Sequence, residues 1–336
     1  MEVQSNHINT EKVSAHLREK GIDLDNKKIL ITNFSGSKQE EDLTDPPNCN
    51  GYGRIRHFKL GTGVNWPLNP LPIFPAAKAL KLDIHSEIRA QVFQNSICNW
   101  RCWYCFVDYN LLNGDKKHAS FFTCDQLLEL YLSENNPPLM IDLTGGQPDL
   151  TPEWIPWMMQ SLIDKGLEEK IYLWSDDNLS NDYLWKFLSA KQIELISSYK
   201  MYSRVCCFKG IDEQSFSLNT KADPSLFNNQ FSLCQRLLDL GIDLYCYITL
   251  TALENSNFAE IIPRFLDRMQ AVNENLPLRT VPLEIFEFSP VVGRMNDTFR
   301  NMLKGQYLAI DIWQKEIQAR FNSSARELSI TEVPIK

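Results

Sequence analysis

No apolar run in the 336 residues approaches the ~20 that a bilayer-crossing helix needs, which argues against an integral membrane protein. An export signal is not expected either. The opening MEVQSNHINTEKVSAHLREK carries charges where a signal peptide has an apolar core, so a cytoplasmic location is expected. Positive charge is in deficit, with 34 Lys+Arg against 42 Asp+Glu. That balance disfavours a generic coat for duplex nucleic acid, and no RNA-binding appendage is recognisable. Solenoid repeats and low-complexity tracts are missing. Cysteine is plentiful, at nine, but the number is odd and the chain long, so reduced thiols fit better than a disulfide framework. At 43% hydrophobic residues the chain can bury a sizeable core, and global disorder is excluded. The length suits one large domain, or one domain with an appendage.

The chain divides into three stretches. Residues 1–85 read as an N-terminal extension, with a short helix over 11–20, a strand over 28–33, and an irregular, ordered loop over 35–75 whose Tyr52, Phe58, Trp66, Leu71 and Phe74 suggest packing on something larger. From about residue 86 strands and helices alternate. Strands are expected at 88–94, 139–143, 170–174, 202–208, 243–250 and 283–288. Helices are expected at 124–134, 151–165, 181–190, 224–240, 258–273 and 297–319. Six strands alternating with helices imply parallel βαβ units wound one way. A single α/β core would then occupy 86–309. Residues 310–336 read as a C-terminal helix and tail, with Ile310, Trp313, Ile317 and Phe321 as a packing stripe.

Three cysteines crowd into the loop after the first of those strands: Cys98-Asn-Trp-Arg-Cys102-Trp-Tyr-Cys105. Three thiolates on one loop can converge on one metal centre. A closed zinc site usually takes four ligands, whereas thiolates also anchor iron–sulfur cubanes. A zinc loop completed by Cys49, Cys124 or His118 is the alternative.

This C-x3-C-x2-C segment resembles that of the radical S-adenosylmethionine (SAM) enzymes. The resemblance implies a partial (β/α)6 parallel barrel, an α/β fold, with Cys98, Cys102 and Cys105 holding a 4Fe-4S cluster. In that superfamily the open iron chelates SAM, one electron cleaves its carbon–sulfur bond, and the 5′-deoxyadenosyl radical abstracts a hydrogen atom from substrate. Tyr104 matches the aromatic that usually lies near the adenine.

Three further segments agree in order. At the end of the second strand, Asp142-Leu-Thr-Gly145-Gly146-Gln147-Pro148 is similar to the family's Gly-Gly-x-Pro, which usually has Glu in place of Gln147. The resemblance implies that Gly145, Gly146 and Gln147 contact the cofactor, the glycines letting backbone approach its methionine amino group; a plain strand-to-helix turn is the alternative. After the third strand, Ser175-Asp176-Asp177-Asn178 resembles the Asp-x-Asn of glycyl-radical-enzyme activases, where Ser175, Asp176 and Asn178 become cofactor contacts; a helix N-cap is the plainer account. Lys209, at the fourth strand's exit, resembles the activases' Asp-Leu-Lys segment, with Cys207 replacing the Asp. Lys209 either pairs with the SAM carboxylate or is a solvated surface group. Activases often carry a His near 286–294, and here there is none.

Two segments are candidates for choosing a substrate: the loop 106–123, and 48–59 with Arg54, Arg56, His57 and Lys59. The second could hold a phosphate, nucleotide or carboxylate, or be a solvated loop. Arg101 pairs with an acidic substrate or reductant, or faces solvent. A small anionic metabolite or nucleotide is the expected substrate. An activase-like protein substrate is the alternative, and a non-catalytic zinc or iron–sulfur module a third reading. The resemblance also implies a flavodoxin or ferredoxin as reductant.

Overall fold

A computed structural model of the chain describes residues 7–61, 63 and 65–335. In chain order its strands are β1 (Ile22–Asp23), β2 (Lys28–Thr32), β3 (Arg54–Phe58), β4 (Ile88–Gln94), β5 (Ala119–Phe122), β6 (Met140–Thr144), β7 (Tyr172–Asp177), β8 (Tyr202–Phe208), β9 (Leu244–Thr249) and β10 (Thr280–Leu283). Helices are α1 (Thr10–Gly21), α2 (Ile73–Leu80), α3 (Cys124–Ser133), α4 (Trp154–Asp164), α5 (Tyr183–Phe187), α6 (Ala190–Ser198), α7 (Glu213–Thr220), α8 (Asn229–Asp239), α9 (Phe258–Val272), α10 (Ser289–Val292), α11 (Asp297–Arg320) and α12 (Ser323–Arg326).

Strands β4, β6, β7, β8, β9 and β10 lie side by side, all parallel, and β3 adds an antiparallel seventh strand against β4. The sheet curls into a half-barrel, the partial (β/α)6 fold the sequence implies. Side chains alternate across it. Outward-facing Ile141, Leu143, Leu173, Phe208, Leu244 and Ile248 pack under the helices in one large core with Leu127, Met158, Leu237, Phe265 and Leu266. Inward-facing Ala90, Met140, Tyr172, Trp174, Val205 and Tyr245 form a second core with Leu71, Ile73 and Ala76, so α2 and the segment before it fill the concave face at the strands' N-terminal ends. The C-terminal ends of the strands remain the place for polar chemistry.

Several expectations change. Residues 54–58 are not loop but β3, because Arg54, Arg56 and Phe58 alternate with Ile55 and His57. The sixth parallel strand lies at Thr280–Leu283, before the expected 283–288, and pairs with β9 through Val281 and Tyr247. Helices α6 and α7 were hidden by polar sequence but carry capping boxes, Ser189 with Gln192 and Asp212 with Ser215. The packing stripe of the C-terminal stretch is the second half of the 24-residue α11, with Ile310 and Trp313 buried against the main core.

The extension is tied to the loops of the half-barrel. Strand β2 pairs antiparallel with β5, which belongs to the segment after the cysteines. Ser96 N donates to Leu30 O at 3.1 Å. Helix α1 lies against the cysteine loop and the Gly-Gly turn. Arg18 reaches Leu150 O at 3.0 Å and forms a buried ion pair with Glu153. No helix among the described residues is long and apolar enough to cross a membrane.

Candidate functional site

The cysteine loop leaves β4 and crosses the C-terminal ends of the parallel strands. Cys98 is buried, and Cys102 and Cys105 are half-buried. Each thiol lies within electrostatic reach of the other two. Burial pushes the Cys102 thiol up to about 12, with Cys105 and Cys98 adding to the effect and Lys209 opposing it. Burial also raises Cys105. Thiolate ligation of any metal here is therefore linked to proton release. Among the described residues no group of three or more His, Cys, Asp or Glu is already drawn into a metal-holding arrangement.

Backbone carbonyls fix the loop. Arg101 turns back and donates to Cys98 O at 2.5 Å and Trp100 O at 2.8 Å. Tyr109 OH donates to Cys102 O at 2.9 Å. Arg294, from the turn before α11, donates to Cys105 O at 2.6 Å and Val107 O at 2.7 Å, its guanidinium 3.7 Å from the Tyr109 ring centre. Asn219 of α7 accepts from the Trp103 indole at 3.0 Å and donates to Lys209 O and Thr251 O, linking the loop to the exits of β8 and β9. Arg101 is thus a clamp on its own loop, neither free in solvent nor reaching toward a partner.

The Gly-Gly turn after β6 is seated directly on this loop. Gly145 and Gly146 have φ of +68° and +60°. A Cβ on Gly146 would stand 2.3 Å from Ile97 O and 2.5 Å from Asn95 O, both backbone atoms. The close approach that demands glycine is therefore to the cysteine loop. Gln147 is buried as a strut: its backbone N donates to Ile97 O at 2.7 Å, its side-chain amide donates to Asp177 at 2.7 Å, and its Oε1 accepts from Asn178 N at 2.9 Å. An amide can donate to one neighbour and accept from the other, which a carboxylate beside Asp177 cannot do. Asp177 continues to the buried Arg204, which also pairs with Asp149.

The end of β7 and the residue after it split between two faces. Asn178 points to the loop, its amide 3.8 Å from Cys98 Sγ and 3.2 Å from Asn99 Oδ1, and its own buried Oδ1 has no partner. Asp176 faces the barrel interior, accepting from the Trp174 indole at 3.1 Å and from the Thr144 hydroxyl. Ser175 points outward and is bonded to Tyr202 OH at 2.7 Å, fully buried, so it stands apart from the interior group. On the far side, Tyr104 OH meets Thr249 Oγ1 at 3.2 Å, and Lys209 sits among Cys207, Tyr104, Cys102 and Cys105. Burial pulls the Lys209 pKa down, but those four neighbours outweigh it and the net direction is up.

The alternative zinc ligands lie elsewhere. Cys124 starts α3 with its sulfur toward Trp154 O, Cys49 is buried with its backbone N on Glu134, and His118 is exposed at the turn before β5. The residues that gather at the barrel mouth are Cys98, Cys102, Cys105, Tyr104, Asp176, Asn178 and Lys209. Gly145, Gly146 and Gln147 support them. Sequence reasoning missed Asn219, and it met Tyr109 only within the candidate substrate loop 106–123 and Arg294 only in the turn after the sixth strand, not as supports of the cysteine loop. Their sequence signal is only a polar residue in a turn or helix.

No family model matches the chain, and no curated protein matches it. Solved structures do. Streptococcus suis SuiB bound to S-adenosylmethionine aligns over 67% of this chain and 47% of its own, at 16% identity and a TM-score of 0.41. SuiB bound to the precursor peptide SuiA aligns over 73% and 70%, at 13% identity and 0.37. The protein anSMEcpe with bound AdoMet aligns over 67% and 60%, at 13% identity and 0.41. The chain spans only 36% of the length of a further SuiB structure. At such scores the likeness says nothing of this chain's activity, substrate or partners.

Proposed function

We propose that the chain is a radical SAM enzyme. The observation that carries the reading is one loop bearing three thiols, each within electrostatic reach of the others, across the C-terminal ends of six parallel strands. The chemistry of the donor set fits a thiolate-anchored 4Fe-4S cluster, with Lys209 and Arg294 as nearby cations that favour thiolate. Such a cluster with SAM supplies one-electron cleavage of the sulfonium carbon–sulfur bond and hydrogen abstraction from substrate.

The chain's own residues have separate tasks. Cys98, Cys102 and Cys105 hold the metal. Asn178 steadies the Cys98 side, and its unpartnered Oδ1 is available to a cofactor donor. Lys209 offers a point charge to the cofactor carboxylate, and Tyr104 a ring face to the adenine. Gly145, Gly146 and Gln147 act by seating the loop. Asp176, with both oxygens engaged, sets the polarity of the interior. The substrate on this reading is a small anion or nucleotide, and a flavodoxin or ferredoxin supplies the electron.

A second reading, an activase-like enzyme acting on a protein or peptide, has one observation in its favour. Phe286 and Phe288 are exposed beside Phe106, forming an aromatic rim next to the cysteine loop. Replacing Cys98, Cys102 or Cys105 singly by Ala tests the proposal. Each variant should lose most of the iron taken up on anaerobic reconstitution, and all SAM cleavage. Undiminished iron and cleavage in all three would refute the ligand assignment.

A further inference from the structure

Antiparallel pairing of β3 with β4 sets Arg54 opposite Val92 and Arg56 opposite Ala90. Both arginines therefore share the concave face with Gln94, Asp142 and Asp176. Arg54 is only 7% exposed, and its Nε has no partner. Among the described residues neither guanidinium makes a hydrogen bond or a close ion pair. Arg54 rests between the rings of Phe34, at 5.8 Å, and Phe106, at 5.5 Å, while Arg56 lies 4.4 Å from the centre of Phe58. Gln94 is fully buried. Its Oε1 accepts from Gln39 at 3.1 Å, and its Nε2 has no partner.

The charges around them do not balance. Burial draws Arg54 down to about 10, with Arg56 adding to the effect, which leaves it cationic at neutral pH. Asp142 is the facing carboxyl, and burial followed by the charge of Asp176 raises it well above the ordinary carboxylate range. Asp176 has already given one oxygen to Thr144 and the other to Trp174. Two guanidiniums thus face Asp142 and Asp176 across the concave face without a hydrogen bond or close ion pair to either. A buried cation without a hydrogen-bond partner is costly, and the fold offers Arg54 only ring faces and the fields of Asp142 and Asp176 in place of a direct pair.

We infer that Arg54, Arg56 and the free amide of Gln94 form an oxyanion site inside the half-barrel that receives the carboxylate or phosphate group of the substrate. Paired guanidinium forks match the planar oxygens of either group. Phe106, against which Arg54 packs, directly follows Cys105, so an anion held here lies beside the cysteine loop. Lys209 belongs to another sector, just past β8, with β4, β6 and β7 between it and β3. The interior thus has two separate cationic stations, one for the cofactor carboxylate and one for the substrate. Use of the site by the substrate rests on the proposed function, whereas its affinity for anions does not.

The test uses the full chain without metal, titrated at constant ionic strength with inorganic phosphate and, separately, with succinate. Binding is followed by tryptophan fluorescence and thermal melting. A saturable response to phosphate alone points to a phosphorylated substrate, and to succinate alone to a carboxylic acid; either supports the site. Arg56→Gln should weaken that binding about tenfold or more without lowering the melting temperature of the free protein. Arg54→Lys keeps the charge, removes the fork, and should also weaken it. No saturable response to either anion, or unaltered affinity in both variants, overturns the site. Equal loss of SAM affinity by the reconstituted variants would assign the arginines to the cofactor and overturn the substrate role. Intact anion binding in a protein that never cleaves SAM would instead sink the radical SAM reading.

Discussion

Every cysteine of the loop has its carbonyl held by a different side chain: Cys98 by Arg101, Cys102 by Tyr109 and Cys105 by Arg294. Those bonds, with the Gly146 contact, set where the sulfurs point. Gly146→Val forces a Cβ into the carbonyls of Ile97 and Asn95 and asks a β-branched residue to adopt positive φ. Chemical denaturation should show a loss of roughly 2 kcal/mol or more, and reconstituted iron should fall together with SAM affinity. Iron retained at full occupancy would show that the turn does not seat the loop. A second residue-scale prediction concerns Asp142. A carboxyl whose folded pKa is raised supports the fold at low pH, and that support is lost as pH rises above its unfolded value. Asp142→Asn fixes the uncharged form, so its melting temperature should exceed that of the parent by a margin that widens from pH 5 to pH 8. A variant less stable than the parent at pH 8 would mean that Asp142 is ionised and paired with the arginines. At this scale the cysteines were legible because three of one rare type stand at fixed spacing. Arg294 was not, because its partner lies 189 residues away. Ser175 and Asp176 looked alike in sequence. Strand alternation sends one outward and the other inward.

Strands were readable where buried apolar residues recur on both faces, as Ile88, Ala90, Val92 and Phe93 do in β4 and Met140, Ile141 and Leu143 in β6. They failed where that condition lapses. In β3 the inward positions are arginines serving a polar interior, so a strand imitates a basic loop. In β10, Pro282 broke the pattern. It is tolerated because β10 is an edge strand paired only with β9. Short polar helices such as α7 are stabilised by caps and by packing more than by an apolar stripe, so periodicity missed them. The docking of α1 gives the prediction for this scale. Arg18 and Glu153 are a buried pair joining the extension to the Gly-Gly turn segment. Arg18→Ala strands the carboxylate and should cost about 3–5 kcal/mol in urea unfolding, whereas Arg18→Met with Glu153→Leu should recover much of that. A single mutant as stable as the parent would show that α1 is not anchored through this pair.

Across the whole molecule, α2 and the aromatic interior close the bottom of an open, curled sheet, and the loops after β4, β6, β7 and β8 converge at its top. One end of the half-barrel is thereby packed and apolar, and the other is charged and lined with thiols. The extension adds a strand, two guanidiniums and a helix that braces the loop, so it belongs physically to the same end. The most direct measurement is anaerobic reconstitution of the full chain, followed by incubation with dithionite and SAM. The account predicts a brown protein with about four irons per chain, forming 5′-deoxyadenosine and methionine. A colourless, zinc-loaded protein that leaves SAM intact would contradict it.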